Sequence, residues 1–193
     1  MFEMKTRILI VVALACLCPS LQAQSDEPRF SRDGQLQRPE NYREWIYLSS
    51  GLGMTYSPNG AANASNERFD NVFVTPPAYK SFLETGTWPE ETMLVLEVRS
   101  SASNGSINKG GHYQNEIAGM EVHLKDSARF PATKWAFFEF GISGRTAKPM
   151  PPDSNCQSCH SMNGAVDQTF VQFYPTLIPI AKAKGTFKLN TEK

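Results

Sequence analysis

Three stretches of the chain alternate apolar and polar positions with a period of two, and they predict the framework of the fold. From Thr92 to Ser101, Leu94, Leu96 and Val98 share one face while Met93, Val95, Glu97 and Arg99 take the other. From about Tyr113 to Lys125, Ala118, Met120, Val122 and Leu124 alternate with Ile117, Gly119, Glu121 and His123. A third strand, Lys134 to Phe140, carries Trp135, Phe137, Phe138 and Phe140, aromatic on both faces. One sheet face rarely needs so many rings. A flat apolar cofactor lying against the strand would use them, although ordinary core packing is the commoner reason for such a pattern.

Shorter elements frame these strands. Tyr42 to Leu48 is aromatic and β-prone towards its end, with Ser49-Ser50-Gly51 as its stop signal. Residues 57–70 have the composition of a surface loop, and Asn71–Val74 reads as a short strand. Thr75 then offers an N-cap and Pro76 a first helical position for a helix ending at Gly86, with Ala78, Tyr79, Phe82 and Leu83 along one face. Between Gln168 and Lys184, Phe170, Phe173, Tyr174, Leu177 and Ile180 recur at helical spacing. Pro175 and Pro179 must kink or split that helix, because neither can donate a helical hydrogen bond. The pattern predicts an α+β fold: an antiparallel sheet of roughly four or five strands with helices to one side.

The N-terminal 23 residues change the setting. Lys5 and Arg7 precede an apolar run from Ile8 to Ala15, and Leu21-Gln22-Ala23 suits a cleavage site. This is a secretory signal, with an apolar run too short to span a bilayer. Cys16 follows Ala-Leu-Ala, so cleavage before Cys16 as a lipoprotein is the poorer alternative. Export to the periplasm is expected. Residues 24–40 read as a loose polar arm and 41–193 as one folded domain, long enough for a substantial core. Nineteen basic against nineteen acidic side chains leave no net charge. Loss of Glu3, Lys5 and Arg7 with the signal shifts this only to about −1, so neither nucleic acid nor an anionic membrane is an expected partner.

Of four cysteines, Cys16 and Cys18 fall in the signal, leaving Cys156 and Cys159 in the mature chain. They stand in Cys156-Gln157-Ser158-Cys159-His160, the spacing of a c-type haem attachment site. Thiols three positions apart lie about one helical turn apart, so both can add to the two vinyl groups of one porphyrin. The following His160 can then offer a ring nitrogen to the iron. Two other readings compete with this one. Structural zinc wants four ligands in spaced pairs, yet only His112 and His123 remain, eleven residues apart and without paired spacing. A redox dithiol would be expected at a helix start in a βαβ pattern, which does not precede it. One covalently bound haem c is the expected cofactor.

In order along the chain, Tyr42-Arg-Glu-Trp45, Asn71-Val-Phe-Val74, Gly119-Met-Glu121 to Lys125-Asp126 with Arg129-Phe-Pro131, Trp135-Ala-Phe-Phe138, and the haem motif running into Phe170-Val-Gln-Phe-Tyr-Pro175 resemble the cytochrome P-460 family and its cytochrome c′-beta branch. The resemblance implies an antiparallel-sheet haem fold, an iron ligated by His160, an open sixth position and often a homodimer. Members that oxidise hydroxylamine carry a lysine cross-linked to the haem directly before a glutamate. Aligned on Thr92 and Glu97, this chain has Leu96 there. That departure points to the c′-beta branch, whose members bind diatomic gases, notably nitric oxide, under an apolar and aromatic cap.

For such a cap the resemblance suggests Phe73 with Leu96 beside it. Oxidising members also use a pocket carboxylate as a proton acceptor, and Glu121 or Glu116 would match it. Five positions apart, the two face opposite sides of a regular strand, so only one can look into a pocket. The leading function is binding or scavenging of nitric oxide. An oxidoreductase acting on hydroxylamine or related nitrogen oxides is the second reading. An electron carrier with its own redox partner is third, since it would normally want a sixth ligand such as Met, and none of Met54, Met93, Met120, Met150 and Met162 has a position that demands ligation.

Overall fold

The computed structural model of the chain describes residues 26–55 and 67–188. The signal segment, with Cys16 and Cys18, lies outside the described residues, as does most of the loop expected over 57–70. The elements are β1 (Leu36–Gln37), β2 (Ile46–Leu52), β3 (Arg68–Val74), α1 (Pro76–Thr85), β4 (Met93–Ala102), β5 (Tyr113–Lys125), β6 (Trp135–Glu139), β7 (Thr146–Ala147), α2 (Asn155–Asn163) and α3 (Ile178–Ala183). Single 3₁₀ turns occupy Tyr42–Glu44 and Val171–Phe173. Strands β2 to β6 pair antiparallel in sequence order, and β1 pairs separately with β7. The α+β expectation and its antiparallel sheet are observed.

Register decides what each face carries, because directly paired residues project to the same side. Leu96 pairs with Val72 on β3 and Glu121 on β5; Leu94 pairs with His123, which in turn pairs with Phe137 on β6. This face is covered by α1 and the C-terminal segment, which bury Leu94 and Trp135 with Phe82, Trp88, Tyr174 and Leu177. On the other face Met93, Val95, Met120, Val122 and Phe138 pack under Leu36, Tyr42 and Trp45. Among the described residues no helix is long and apolar enough to cross a membrane.

Five expectations are corrected. The segment read as a loose arm is packed from Asp26 onwards: Leu36 is fully buried, Phe30 stacks edge-on to Phe138, and the Arg129 guanidinium lies 3.8 Å from the Phe30 ring centre. Ser49-Ser50-Gly51 does not stop β2, which continues to Leu52 paired with β3. Main-chain pairing and the Ser50 hydroxyl donated to Asn71 Oδ1 (2.8 Å) outweigh the turn-forming habit of those residues. Strand β3 begins at Arg68 rather than Asn71. Helix α1 has its expected ends, with Gly86 in the left-handed region at φ 76°, yet Leu83 is 39% exposed and the buried stripe is Ala78 and Phe82. After the motif, Pro175 and Pro179 do split the helical pattern. Only α3 and one 3₁₀ turn form, and Phe173 lies partly exposed along the cavity between α2 and the sheet rather than in the core.

Candidate functional site

The Cys-x-x-Cys-His run lies on α2. Ser154, extended at φ −61°, ψ 155°, caps its start by accepting the Gln157 amide. Helical geometry then puts Cys156 and Cys159 on one face, one turn apart. Both thiols are free, half-buried and line a cavity of about 850 Å³ between α2, the C-terminal segment and the sheet face bearing Leu96. Burial pushes the Cys156 thiol up, with the Glu121 and Glu139 carboxylates adding to it.

His160 lines the same cavity. Its Nδ1 is 2.9 Å from the Gln168 carbonyl, which can only accept, so Nδ1 carries the proton and Nε2 keeps its lone pair. Burial holds the imidazole pKa down, against the opposing pull of the Gln168 carbonyl, and favours this neutral form. An aromatic wall fixes the ring: Phe170 lies 4.1 Å away between ring centres, Phe137 4.7 Å and His123 4.8 Å.

His123 entered the sequence reading only as a histidine without the paired spacing of a zinc ligand. It is buried, stacked on Phe137 at 4.0 Å and tilted against Trp135 at 4.3 Å. Burial, then the neighbouring His160, hold its pKa well below the ordinary value, so it is neutral. Its Nε2 is the one buried side-chain polar atom among the described residues without a hydrogen-bond partner. The alternation of β5 put His123 on the same face as Glu121, a signal that could have found it.

Farther from His160, β3 and β4 present an aliphatic wall of Val72, Leu94, Leu96 and Val98. Leu96 therefore stands where a pocket residue was expected. Phe73 does not: it pairs with Val95 on the opposite face and packs edge-on to Tyr42 and Tyr47. The β3 residue beside Leu96 is Val72, because Leu96 pairs with it directly. Met54 also lines the cavity, its thioether folded over Gly51 where an added Cβ would collide with Sδ.

Of the two carboxylates considered, Glu121 faces the cavity and Glu116 is exposed. Burial raises the Glu121 pKa above the ordinary 4.5, and the Glu139 and Asp70 carboxylates add to the rise. The folded chain therefore holds this proton where the unfolded chain has lost it. The associated stability is complete below the ordinary carboxylate range and disappears as pH rises through the folded pKa. Glu121→Gln should remove that loss. Urea midpoints of the two proteins are expected to diverge, in favour of the variant, from about pH 4 upwards; a difference independent of pH would contradict the assignment.

These residues fit a haem. The cavity lies in the size range of cofactor sites and most of its wall is apolar. Two thiols a helical turn apart and a neutral imidazole with a free Nε2 are the donor set expected for such a group. Among the described residues no group of three or more His, Cys, Asp or Glu could hold a bare metal ion.

Comparison with known proteins agrees with this chemistry. A search of curated proteins finds no significant match. A family model described as Cytochrome P460 matches residues 39–171, from the approach to β2 through the sheet, α2 and the turn that orients His160. That span is more than half of the chain and contains both thiols, His160 and every strand of the main sheet. The chain belongs to the cytochrome P-460 family, whose members are haem proteins.

Proposed function

We propose that this is an exported c-type haem protein of the c′-beta kind, which binds nitric oxide at an open iron position. The observation that carries the reading is the aliphatic wall: Leu96 lines the cavity, and among its described lining residues there is no lysine. Each thiol would add its S–H across one vinyl C=C, sulfur bonding to one carbon and the proton going to the other, so Cys156 and Cys159 tether one haem. When bound, haem supplies an iron that His160 Nε2 can ligate on one side. The chain's own residues do the rest. The Gln168 carbonyl holds the His160 tautomer, Phe137 and Phe170 hold its plane, and Val72, Leu96 and Val98 exclude water while offering no ligand. Aliphatic side chains donate no hydrogen bond, so this part of the wall does little for bound oxygen, which carries partial charge, and penalises neutral nitric oxide least.

Glu121 supports the second reading, hydroxylamine oxidation, since it sets a proton-accepting carboxylate in the cavity. Met54 gives the electron-carrier reading a thioether in the cavity lining. One set of visible spectra separates the three. The purified protein is expected to show an ordinary c-type spectrum, a high-spin ferrous form, a large shift on adding nitric oxide, and negligible electron transfer from hydroxylamine to an added acceptor. A red-shifted band with steady hydroxylamine turnover would establish the oxidase, and a low-spin ferrous form with methionine ligation the carrier.

A further inference from the structure

The segment after α2 contains two consecutive non-glycine residues in the left-handed region, Asp167 (φ 47°) and Gln168 (φ 61°). They form the centre of a tight turn closed by the Thr169 amide donated to the Val166 carbonyl at 2.8 Å. Both central residues of such a turn need positive φ, which Asn-Gly would supply without cost and which glutamine disfavours. Strain of this kind persists only where surrounding contacts over-determine it, and here each contact can be named.

The Asp167 carboxylate accepts from Lys125 Nζ at 2.5 Å and from Trp135 Nε1 at 3.4 Å. Lys125 is itself anchored to the Trp88 carbonyl at 2.8 Å, and Trp88 Nε1 donates to Thr169 Oγ1 at 2.8 Å. Gln168 uses both ends of its amide: Oε1 accepts from Gln157 Nε2 at 2.6 Å, and Nε2 donates to the Thr133 carbonyl at 3.0 Å. Gln157 is one of the two residues between the paired cysteines. Gly164 permits the turn to press on the end of α2, since a Cβ there would lie 2.6–2.7 Å from the Gln168 and Thr169 backbone.

The single polar product of this arrangement is the Gln168 carbonyl aimed at His160 Nδ1. We propose that Gln168 and Asp167 are positioning residues. Their strained turn, clamped by Gln157, Thr133, Lys125 and Trp135, sets the direction and strength of the hydrogen bond on His160, and through it the donor strength of the axial ligand. A firmly held acceptor at Nδ1 makes the imidazole more basic at Nε2, which lowers the potential of a ligated iron. This rests on His160 being the iron ligand.

The test is Gln168→Gly, which keeps the carbonyl, relieves the backbone and deletes both side-chain bonds. In resonance Raman spectra of the ferrous protein its iron–histidine stretching band is expected to move to lower wavenumber, with a rise in midpoint potential. Lys125→Met should shift both in the same direction by less, and Lys125→Arg should restore the wild-type band. Gln157→Leu combined with Gln168→Gly should add nothing to Gln168→Gly alone, because the two delete one bond.

Unshifted bands in both Gln168→Gly and Lys125→Met would overturn the proposal. Should Gln168→Gly not fold, the Lys125 pair reads the clamp from the other end. Should the intact mass carry no haem, the proposed function fails instead, and proton–nitrogen NMR of the chain still reads the clamp. A protected His160 Nδ1–H in the wild type and its faster exchange in Gln168→Gly would support it, whereas equal exchange would overturn it.

Discussion

Replacing His160 by alanine is expected to leave the haem covalently attached while removing its nitrogen ligand. In the proposed function the two roles sit on different atoms of one helix: the thiols of Cys156 and Cys159 would tether, and His160 Nε2 would ligate. Denatured His160→Ala protein should therefore keep the mass of chain plus haem, with the native spectrum of an iron lacking an axial imidazole and added imidazole restoring it. Adding His123→Phe removes the second imidazole, 4.8 Å away, as a substitute donor. The double change Cys156→Ala with Cys159→Ala should do the reverse, giving haem that extracts into acidic organic solvent. Loss of the ligating nitrogen itself should exceed the roughly 10–100-fold effects on metal-site affinity that are typical of changing a group hydrogen-bonded to a ligand. A His160→Ala protein with unchanged spectrum and nitric oxide binding would show that another residue ligates the iron.

The largest effect on stability is expected at Glu97, on the face of β4 away from the cavity. This carboxylate is buried and accepts from the Tyr42 hydroxyl, the Arg43 guanidinium, Arg99 Nε at 2.7 Å and Asn71 Nδ2 at 3.2 Å. Burial works to raise its pKa. The hydrogen bonds from Arg99 and Tyr42 and the charges of Arg43 and Arg99 outweigh that and leave it lowered. Glu97→Ala strips partners from a buried hydroxyl and amide and leaves Arg99 uncompensated, a change that costs roughly 3–5 kcal/mol. For a domain of this size each kcal/mol lowers the melting temperature by about 2–4 °C.

The pH dependence follows from the sign of the shift. With a depressed folded pKa, Glu97 contributes stability above the ordinary carboxylate range and loses it as pH falls through the folded value. The Glu97→Ala penalty should shrink in acid, opposite to the behaviour at Glu121. A penalty below about 1 kcal/mol at neutral pH, typical of an exposed ion pair, would mean that the cluster is hydrated rather than buried.

Much of this protein is local enough to be read from its residues in order. Period-two alternation placed β4, β5 and β6 and grouped Leu94, Leu96 and Val98 on one face, because side-chain direction along a strand depends on its own backbone alone. Thr75-Pro76 and Gly86 marked the ends of α1 for equally local reasons, a proline whose missing N–H costs nothing in the first turn and a left-handed cap. Cys156, Cys159 and His160 share one short helix, so their spacing already contained the chemistry.

What the tertiary structure decided concerns residues brought together from different elements. Alternation along β3 separates Val72 from Phe73, but only pairing with β4 chooses Val72 for the cavity, and a one-residue difference in register would have reversed the choice. His123 became a pocket residue when β6 laid Phe137 on it and α2 brought His160 to its edge. Ser49-Ser50-Gly51 became strand because β3 supplied pairing partners. Asp167 and Gln168 adopt a conformation their own propensities oppose, held there by Lys125 and Trp135 at the ends of two strands, Thr133 before β6 and Gln157 on α2. The proposed attachment motif is thus contained in five consecutive residues, whereas the orientation of the His160 ring is set by long-range contacts, which no local pattern contains.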